Sequence, residues 1–563
     1  MPSIIIAINI ITSSQYGRIC NTTSENTASS HNWRLYTCRA IAPILEIGRV
    51  LAERGHTIEF ATLNGQEDWV KAEEYSFLEG HYRRMQGWDI SKGVVPVLRS
   101  KSMFDSFWPQ TYFGLKRIVD TPETRPSAII ADFFVEAAND IHYEYNLPIA
   151  VVSPTWPLLQ LPCPYIPGHP LLRLPGTMTS EDASLLLRIK NELVIVPDLL
   201  EIKKILNAYQ KMRDAHGVHY PPHRPKKPDY LIFVNSFNGL EIPRDLPPTC
   251  APVGPLLSPT WAPLDPACQA FFESHKSVLY IALGTHIILP QAHAVSIIKG
   301  VSRLIEEGLL DGVIWAMAQT NRADLDREAI FEFNKKDNKK TVSLGELLDG
   351  KDGSWHFSFF APQRAILDHP STKLYFTHGG GSSANEALFH GKPVLSMGIF
   401  SDQIENTTRL VAGGVGESLS KLDFTAEELY AKGKKILSAG DDGPYHRNTL
   451  RLQRIAHVAA RRKYYAADLV EELIYDHELR IGTDGKVLRP MHLQTADSRM
   501  PAWKAMNLDM YAVGLVGVSA FLGAVLASGL GLWRHRALLA NQGAALLACA
   551  GKYLRSLSVA RGR

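Results

Sequence analysis

The stretch KLYFTHGGGSSANEALFHGKPV, residues 373–394, gathers groups that can handle an anion. An apolar run with the character of a strand ends at His378, three glycines and two serines follow, and ANEALFH has the spacing of a helix. Glycines at a strand-to-helix turn leave no Cβ between the backbone and an approaching group. The helix start behind them presents free N–H groups and the positive end of its dipole, which is the chemistry of a phosphate site. Each residue also has a plainer reading. Ser383-x-x-Glu386 matches a capping box, in which Glu386 caps its own helix, and His378 could be a hydrogen-bonded turn histidine.

Such a turn needs a sheet behind it. Residues 1–160 alternate short apolar strands (IIIAINII, TIEFATL, SAIIADFF, PIAVVSP) with amphipathic stretches such as PILEIGRVLAERGH, which argues for a parallel, doubly wound sheet. Residues 161–230 are Pro-rich and then helical, and YLIFVNSF is a further strand. The Pro-rich stretch 246–266 reads as a semi-rigid linker, after which the pattern restarts with SVLYIALGT, GVIWAMAQ, WHFSFF and KLYFT. The expected organisation is therefore a first α/β domain over 1–245, the linker, and a second over 267–445. Closing helices follow over 446–480, with a juxtamembrane stretch over 481–509. Residues 321–353, charged and Gly-containing, read as a surface loop.

From Phe360 to Gln403 the sequence FAPQRAILDHPSTKLYFTHGGGSSANEALFHGKPVLSMGIFSDQ, with Asn406 beyond it, resembles the donor-binding signature of the family 1 UDP-dependent glycosyltransferases, of a fungal type. In register are Ala361-Pro362-Gln363, His369-Pro370, His378-Gly379-Gly380, Ser383, Glu386, Gly391-x-Pro393, Asp402-Gln403 and Asn406. The resemblance implies a GT-B fold, two facing Rossmann-like domains with the acceptor side first and the nucleotide-sugar side second. It also implies a UDP-sugar donor as co-substrate, with no cofactor and no metal. Carried over position by position, Phe360 stacks on uracil where the family usually has tryptophan, with Ala361 beside it. Gln363 lies by the base and ribose, and Glu386 accepts from the ribose hydroxyls. His378, Gly380, Gly381, Ser382 and Ser383 hold the diphosphate, Gly284 and Thr285 form a turn beside it, and Asp402 and Gln403 face the sugar. The sequon Asn406-Thr407-Thr408 then falls inside the donor pocket and is discounted.

The family's inverting reaction uses a His shortly after the first strand as base, oriented by an Asp of the first domain. Asp132, closing IIADFF, matches the Asp; its other reading is an N-cap for the helix that follows. The residues before Pro43 are Cys38-Arg39-Ala40-Ile41-Ala42, with no His, and the nearest candidate is His31. Residues 15–42 are polar, aperiodic and long for a strand-to-helix loop. Either this insert returns His31 to the site, or the base is lost, or the segment is untranslated sequence read through. His56, at the end of the first helix, reads as structural.

Sixty basic and 57 acidic residues give a net charge of +3, with no basic stripe for nucleic acid. The scattered cysteines form no CxxC pair, so neither a zinc site nor a disulfide framework is read from them. MPSIIIAINII lacks a basic n-region and reads as a strand rather than a signal peptide. Met510–Trp533 carries no charge and is long enough to span a bilayer, with Ser519, Gly523, Ala527 and Gly531 forming a small-residue stripe. A basic tail over 534–563 follows, within which 537–551 is apolar enough for a second, re-entrant segment. The expected protein is anchored in an endomembrane, on a side left open. Its donor is a UDP-sugar, glucose in the first instance, and its acceptor a hydroxyl of a lipophilic small molecule. The alternative is a catalytically impaired UDP-sugar-binding protein or partner subunit.

Overall fold

A computed structural model of the chain describes residues 3–7, 42–61, 105–155, 178–223, 227–284, 287–317, 319–335, 338–359, 361–400, 402–440, 442–490 and 492–560, with isolated positions between them. The apolar runs of the first half form β1 (Ser3–Ala7), β2 (Thr57–Ala61), β3 (Ala128–Asp132), β4 (Ile149–Ser153), β5 (Leu231–Val234) and β6 (Cys250–Pro252). They make one sheet in the order β2-β1-β3-β4-β5-β6, parallel at every pair. Strand side chains alternate between its faces. Ile4 and Ile6 pack under helix α1 (Ala42–Glu53), while Ile5 and Ala7 pack on the other side with Ala137, Ala138 and Ile141 of helix α2 (Glu136–Tyr145).

The second half repeats the plan. Strands β7 (Val278–Ala282), β8 (Gly312–Ala316), β11 (Trp355–Ser358), β12 (Thr372–Thr377), β13 (Val394–Ser396) and β14 (Gly416–Ser418) form a parallel sheet in the order β11-β8-β7-β12-β13-β14. In both sheets the chain starts in the middle, winds one way, then crosses to the other side of its first strand. The reversal lies between β1 and β3 in the first sheet and between β7 and β12 in the second. Loops leaving the carboxyl ends of such a strand pair diverge and open a crevice, where open α/β sheets bind ligands. Around the second crevice lie helices α3 (Gln363–Asp368), α4 (Gly381–Phe389) and α5 (Asp402–Ala412).

Helix α6 (Pro444–Ala459) packs Leu452, Ala456 and Ala459 into the core of the second sheet. Helix α7 (Arg462–Leu479) crosses back, and its Ala466, Ala467, Leu469, Val470 and Ile474 belong to the core under α1. Polar contacts fix its register. Lys463 Nζ lies 2.5 Å from Glu46 Oε1, and His56 Nε2 lies 2.7 Å from Glu471 Oε1, the structural place expected of that histidine.

Three expectations change. Residues 321–353 are not a surface loop but hold the antiparallel hairpin β9 (Ile330–Lys335) and β10 (Asn338–Ser343) with a short helix, Leu344–Leu348. Phe331, Val342, Leu344 and Leu347 are buried there, and the lysines between them mask the alternation. Strand β6 falls inside the stretch read as linker, so the chain leaves the first sheet only after Pro252. In the separate unit Thr495–Arg563, the span and the apolar run 537–551 are one continuous helix, α8 (Leu508–Ala560), rather than a span, a tail and a second segment. Leu508–Ser556 of it is a candidate membrane span, with mean hydropathy 2.1 over an 18-residue stretch. At 1.5 Å per residue α8 runs to about 80 Å, against a hydrocarbon core of about 30 Å, so at most part of it can lie in lipid.

Ile474→Ala should lower stability by about 2–5 kcal/mol, because it empties space between α7 and the first sheet. A thermal transition equal to that of the wild type would remove α7 from that core.

Candidate active site

The second crevice is lined by the glycine turn. Thr377 ends β12 fully buried, and its hydroxyl accepts from Gly379 N at 3.2 Å. Gly379 has φ +76°, and a Cβ there would stand 2.6 Å from Thr407 Oγ1, so both conformation and space demand glycine. Gly380 is the N-cap of α4 and has no side chain with which to cap the helix. The capping-box reading therefore fails: the helix starts at Gly381, Ser383 lies within its first turn, and Glu386 lies in its interior.

His378 leaves the end of β12 toward the end of β7. A Cβ on Gly284 would be 2.9 Å from His378 Nε2, and one on Gly380 would be 2.5 Å from it. Gly284 also has φ +90°. The imidazole is held between two glycine backbones, one from each strand at the reversal and beside the helix start.

Behind it is a buried polar layer. Gln363, at the start of α3, donates from Nε2 to Glu386 Oε2 at 2.6 Å and lies 3.5 Å from Ser383 Oγ. Its Oε1 accepts from Tyr375 at 3.1 Å and Tyr280 at 3.3 Å. Those two phenols stack with centroids 5.2 Å apart on neighbouring strands. Gln363, expected beside the base and ribose, is thus turned toward Glu386 and fixes that carboxylate. The Ala361 side chain is buried in the core, which leaves only its backbone for a ligand. Ser382 is half-buried on the first turn of α4. Gln403 spends its carboxamide oxygen on Ile399 N and Phe400 N, at 3.3 and 3.2 Å, which leaves its NH₂ for other work. Thr285, Phe360 and His31 lie outside the described residues.

Asp402 closes the site from α5. Its Oδ2 accepts from Asn406 Nδ2 at 3.1 Å, and Gly381 N donates to its carboxylate. Burial pushes this carboxyl up to about 6, against the pull of Arg409. Arg409 bonds Asn406 Oδ1 at 2.6 Å and pairs with Glu241, both ends of the pair being buried. Asn406, the sequon residue, is itself buried in this chain of contacts. Asp402, Asn406 and Arg409 follow one another at helical spacing, a polar stripe on α5 that sequence inspection could have picked out. Glu241, far away in sequence, gave no signal, and nor did Asn235, whose carbonyl accepts from Asn385 Nδ2 of α4 at 2.6 Å.

Those contacts join the carboxyl ends of the two sheets. A Cβ on Gly381 would meet Pro154, just past β4, at 3.3 Å. On the first-sheet side Asp132 ends β3 and is buried. Ala7 pairs with Ala131, so Asp132 stands where the chain leaves β1. Its Oδ1 accepts from Phe134 N at 3.0 Å, whereas the N-cap of α2 is Val135, so Asp132 does not cap that helix. Burial pushes its carboxyl up to about 7, with the Phe134 bond pulling the other way.

The family described as UDP-glucoronosyl and UDP-glucosyl transferase matches residues 157–461. The chain belongs to that family. A UDP-glycosyltransferase of Talaromyces amestolkiae is 42% identical over 87% of this chain and 94% of its own length. The UDP-glycosyltransferase stmC of Aspergillus ustus is 41% identical over 87% and 94%. Among solved structures, the glycotransferase of kitacinnamycin superposes with a TM-score of 0.53 at 16% identity, covering 84% of this chain and all of its own. A UDP-glucosyltransferase from Polygonum tinctorium gives 0.51 at 16% identity, over 84% and 99%. The fold is GT-B, and the protein is a UDP-glycosyltransferase with a UDP-sugar donor.

Arg409→Ala would leave Glu241 buried and unpaired, and should cost about 3–5 kcal/mol. Glu241→Gln combined with Arg409→Met should recover most of that loss. Thermal melts of the three proteins check this; an Arg409→Ala protein as stable as wild type would mean that the pair does not tie the sheets together.

Proposed function

We propose that this glycosyltransferase moves a hexose, glucose in the first instance, from UDP to a hydroxyl of a lipophilic small molecule, with inversion at the anomeric carbon and no metal. The acceptor oxygen attacks that carbon, the bond to the UDP oxygen breaks, and the acceptor proton passes to a base. The observation that carries the reading is His378, held between Gly284 and Gly380 at the start of α4, where the N-cap residue has no side chain. Backbone N–H groups and an imidazole set there in advance stabilise the charge that grows on the departing diphosphate. Glu386, held by Gln363, is the acceptor for the ribose hydroxyls, and Asp402 with the NH₂ of Gln403 meets those of the sugar.

Asp132 is the orienter of the base, and His31 the candidate base. A second reading, a UDP-sugar-binding protein or partner subunit without turnover, is favoured by the absence of a histidine in Cys38–Ala42, just before Pro43. The apolar helix α8 supports an acceptor dissolved in lipid, since attachment there would bring the site to its substrate.

UDP release from UDP-glucose, with and without sterols, phenols and hydroxy fatty acids, tests the reading. Acceptor-dependent release is expected; UDP binding with no release for any acceptor would favour the second reading. Asp132 must be ionised to hold an imidazolium. The rate constant kcat/KM should therefore rise with pH up to about 7, where its carboxyl loses the proton, with Asp402 adding a second inflection at about 6. Asp132→Asn should remove the upper inflection and lower kcat by roughly 10²–10⁴-fold with UDP affinity unchanged. An unchanged pH profile in that variant would exclude Asp132 from the proton path.

A further inference from the structure

A second group of side chains converges at the other end of the first sheet. His142 lies near the end of α2, His223 in the segment before β5, and Asp229 two residues ahead of β5. In a parallel sheet these positions lie at the amino ends of the strands, opposite Asp132. One ligating atom from each comes within 4.8 Å of the others. His223 Nε2 is 3.0 and 2.9 Å from the two carboxylate oxygens of Asp229, and His142 Nε2 is 3.6 Å from Oδ1.

His142 Nδ1 is 2.7 Å from the Leu147 carbonyl. A carbonyl can only accept, so Nδ1 carries the proton, and in the neutral ring the Nε2 lone pair faces the carboxylate. Two acceptors that face each other need a cation or a further proton between them. A backbone carbonyl that sets the tautomer from behind is the usual outer partner of a metal-bound histidine.

We infer that His142, His223 and Asp229 form a binding site for a divalent cation of the zinc type, separate from the donor site. Metal–ligand bonds of about 2.0–2.1 Å in a tetrahedron set ligands about 3.3 Å apart, and the contacts here straddle that spacing. Two imidazoles and one carboxylate suit zinc better than magnesium or calcium, which take oxygen ligands. All three side chains are half-buried, within reach of solvent, which leaves a fourth position for water. A cation there would tie the far end of α2, the helix that follows Asp132, to the chain entering β5.

The test uses the full chain purified in detergent and stripped of metal by chelation. Titration with zinc chloride, read by calorimetry, should show one equivalent of tight binding that raises the melting temperature. Cobalt(II) should give the visible absorption of a tetrahedral ion. In His142→Ala and His223→Ala that equivalent should weaken by at least about tenfold, while UDP affinity and transfer rate stay at wild-type values. Asp229→Asn, which keeps shape, covers the case in which an alanine variant fails to fold. Zinc affinity equal in wild type and all variants that retain UDP binding, or no zinc binding at all, would overturn the inference and leave a proton-held ion pair.

Discussion

The geometry of this enzyme turns on the space around one imidazole. His378 fits between the ends of β7 and β12 only because Gly284 and Gly380 carry no Cβ, and Gly284 and Gly379 adopt backbone angles that other residues resist. The two strands flank the reversal of the second sheet, so the same place has diverging loops, a helix start and an imidazole. Moving any of these parts would disturb the rest. A longer side chain would displace the ring, and a capping side chain at Gly380 would take further N–H groups of the helix start, where Asp402 already accepts from Gly381 N.

The contacts between the two sheets are polar where they approach the site. Asn385 reaches a carbonyl past β5 and Arg409 reaches Glu241, while a Cβ on Gly381 would stand 3.3 Å from Pro154. A buried ion pair is a poor source of net stability, since desolvation offsets most of its attraction, but it tolerates few alternative geometries. The chain Glu241–Arg409–Asn406–Asp402–Gly381 runs from the first half of the protein to the helix start at the donor crevice. The union has an apolar part as well: α7 leaves the second half and completes the core under α1, and Phe237 and Leu240, past β5, belong to the core of the second sheet.

Much of the fold was legible because buried parallel strands are short apolar runs and these stand out between helices. The hairpin at 330–343 was not legible, because lysines interrupt its alternation, and β6 was hidden among prolines. In the donor site the turn at 378–381 could be read from residue types. Gln363 could be located but its direction could not: its partners Tyr280 and Tyr375 meet it only when β7 and β12 pair. The cluster of His142, His223 and Asp229 was invisible for a related reason, since no metal-like spacing links residues from separate segments.

Local chemistry is written in order along the chain, so the sequence by itself determined the class of fold, the glycine turn with its helix start, the family and the apolar C-terminal stretch. Which carboxylate faces which donor depends on strands and helices brought together from distant positions. Only the tertiary structure decided that Glu386 is held by Gln363 rather than capping its helix, that Asp132 stands at the exit of β1 rather than capping α2, and that Arg409 pairs with Glu241. Each outcome follows from burial: a polar group removed from water must find a partner, and the packing of the two sheets determines which partners are near.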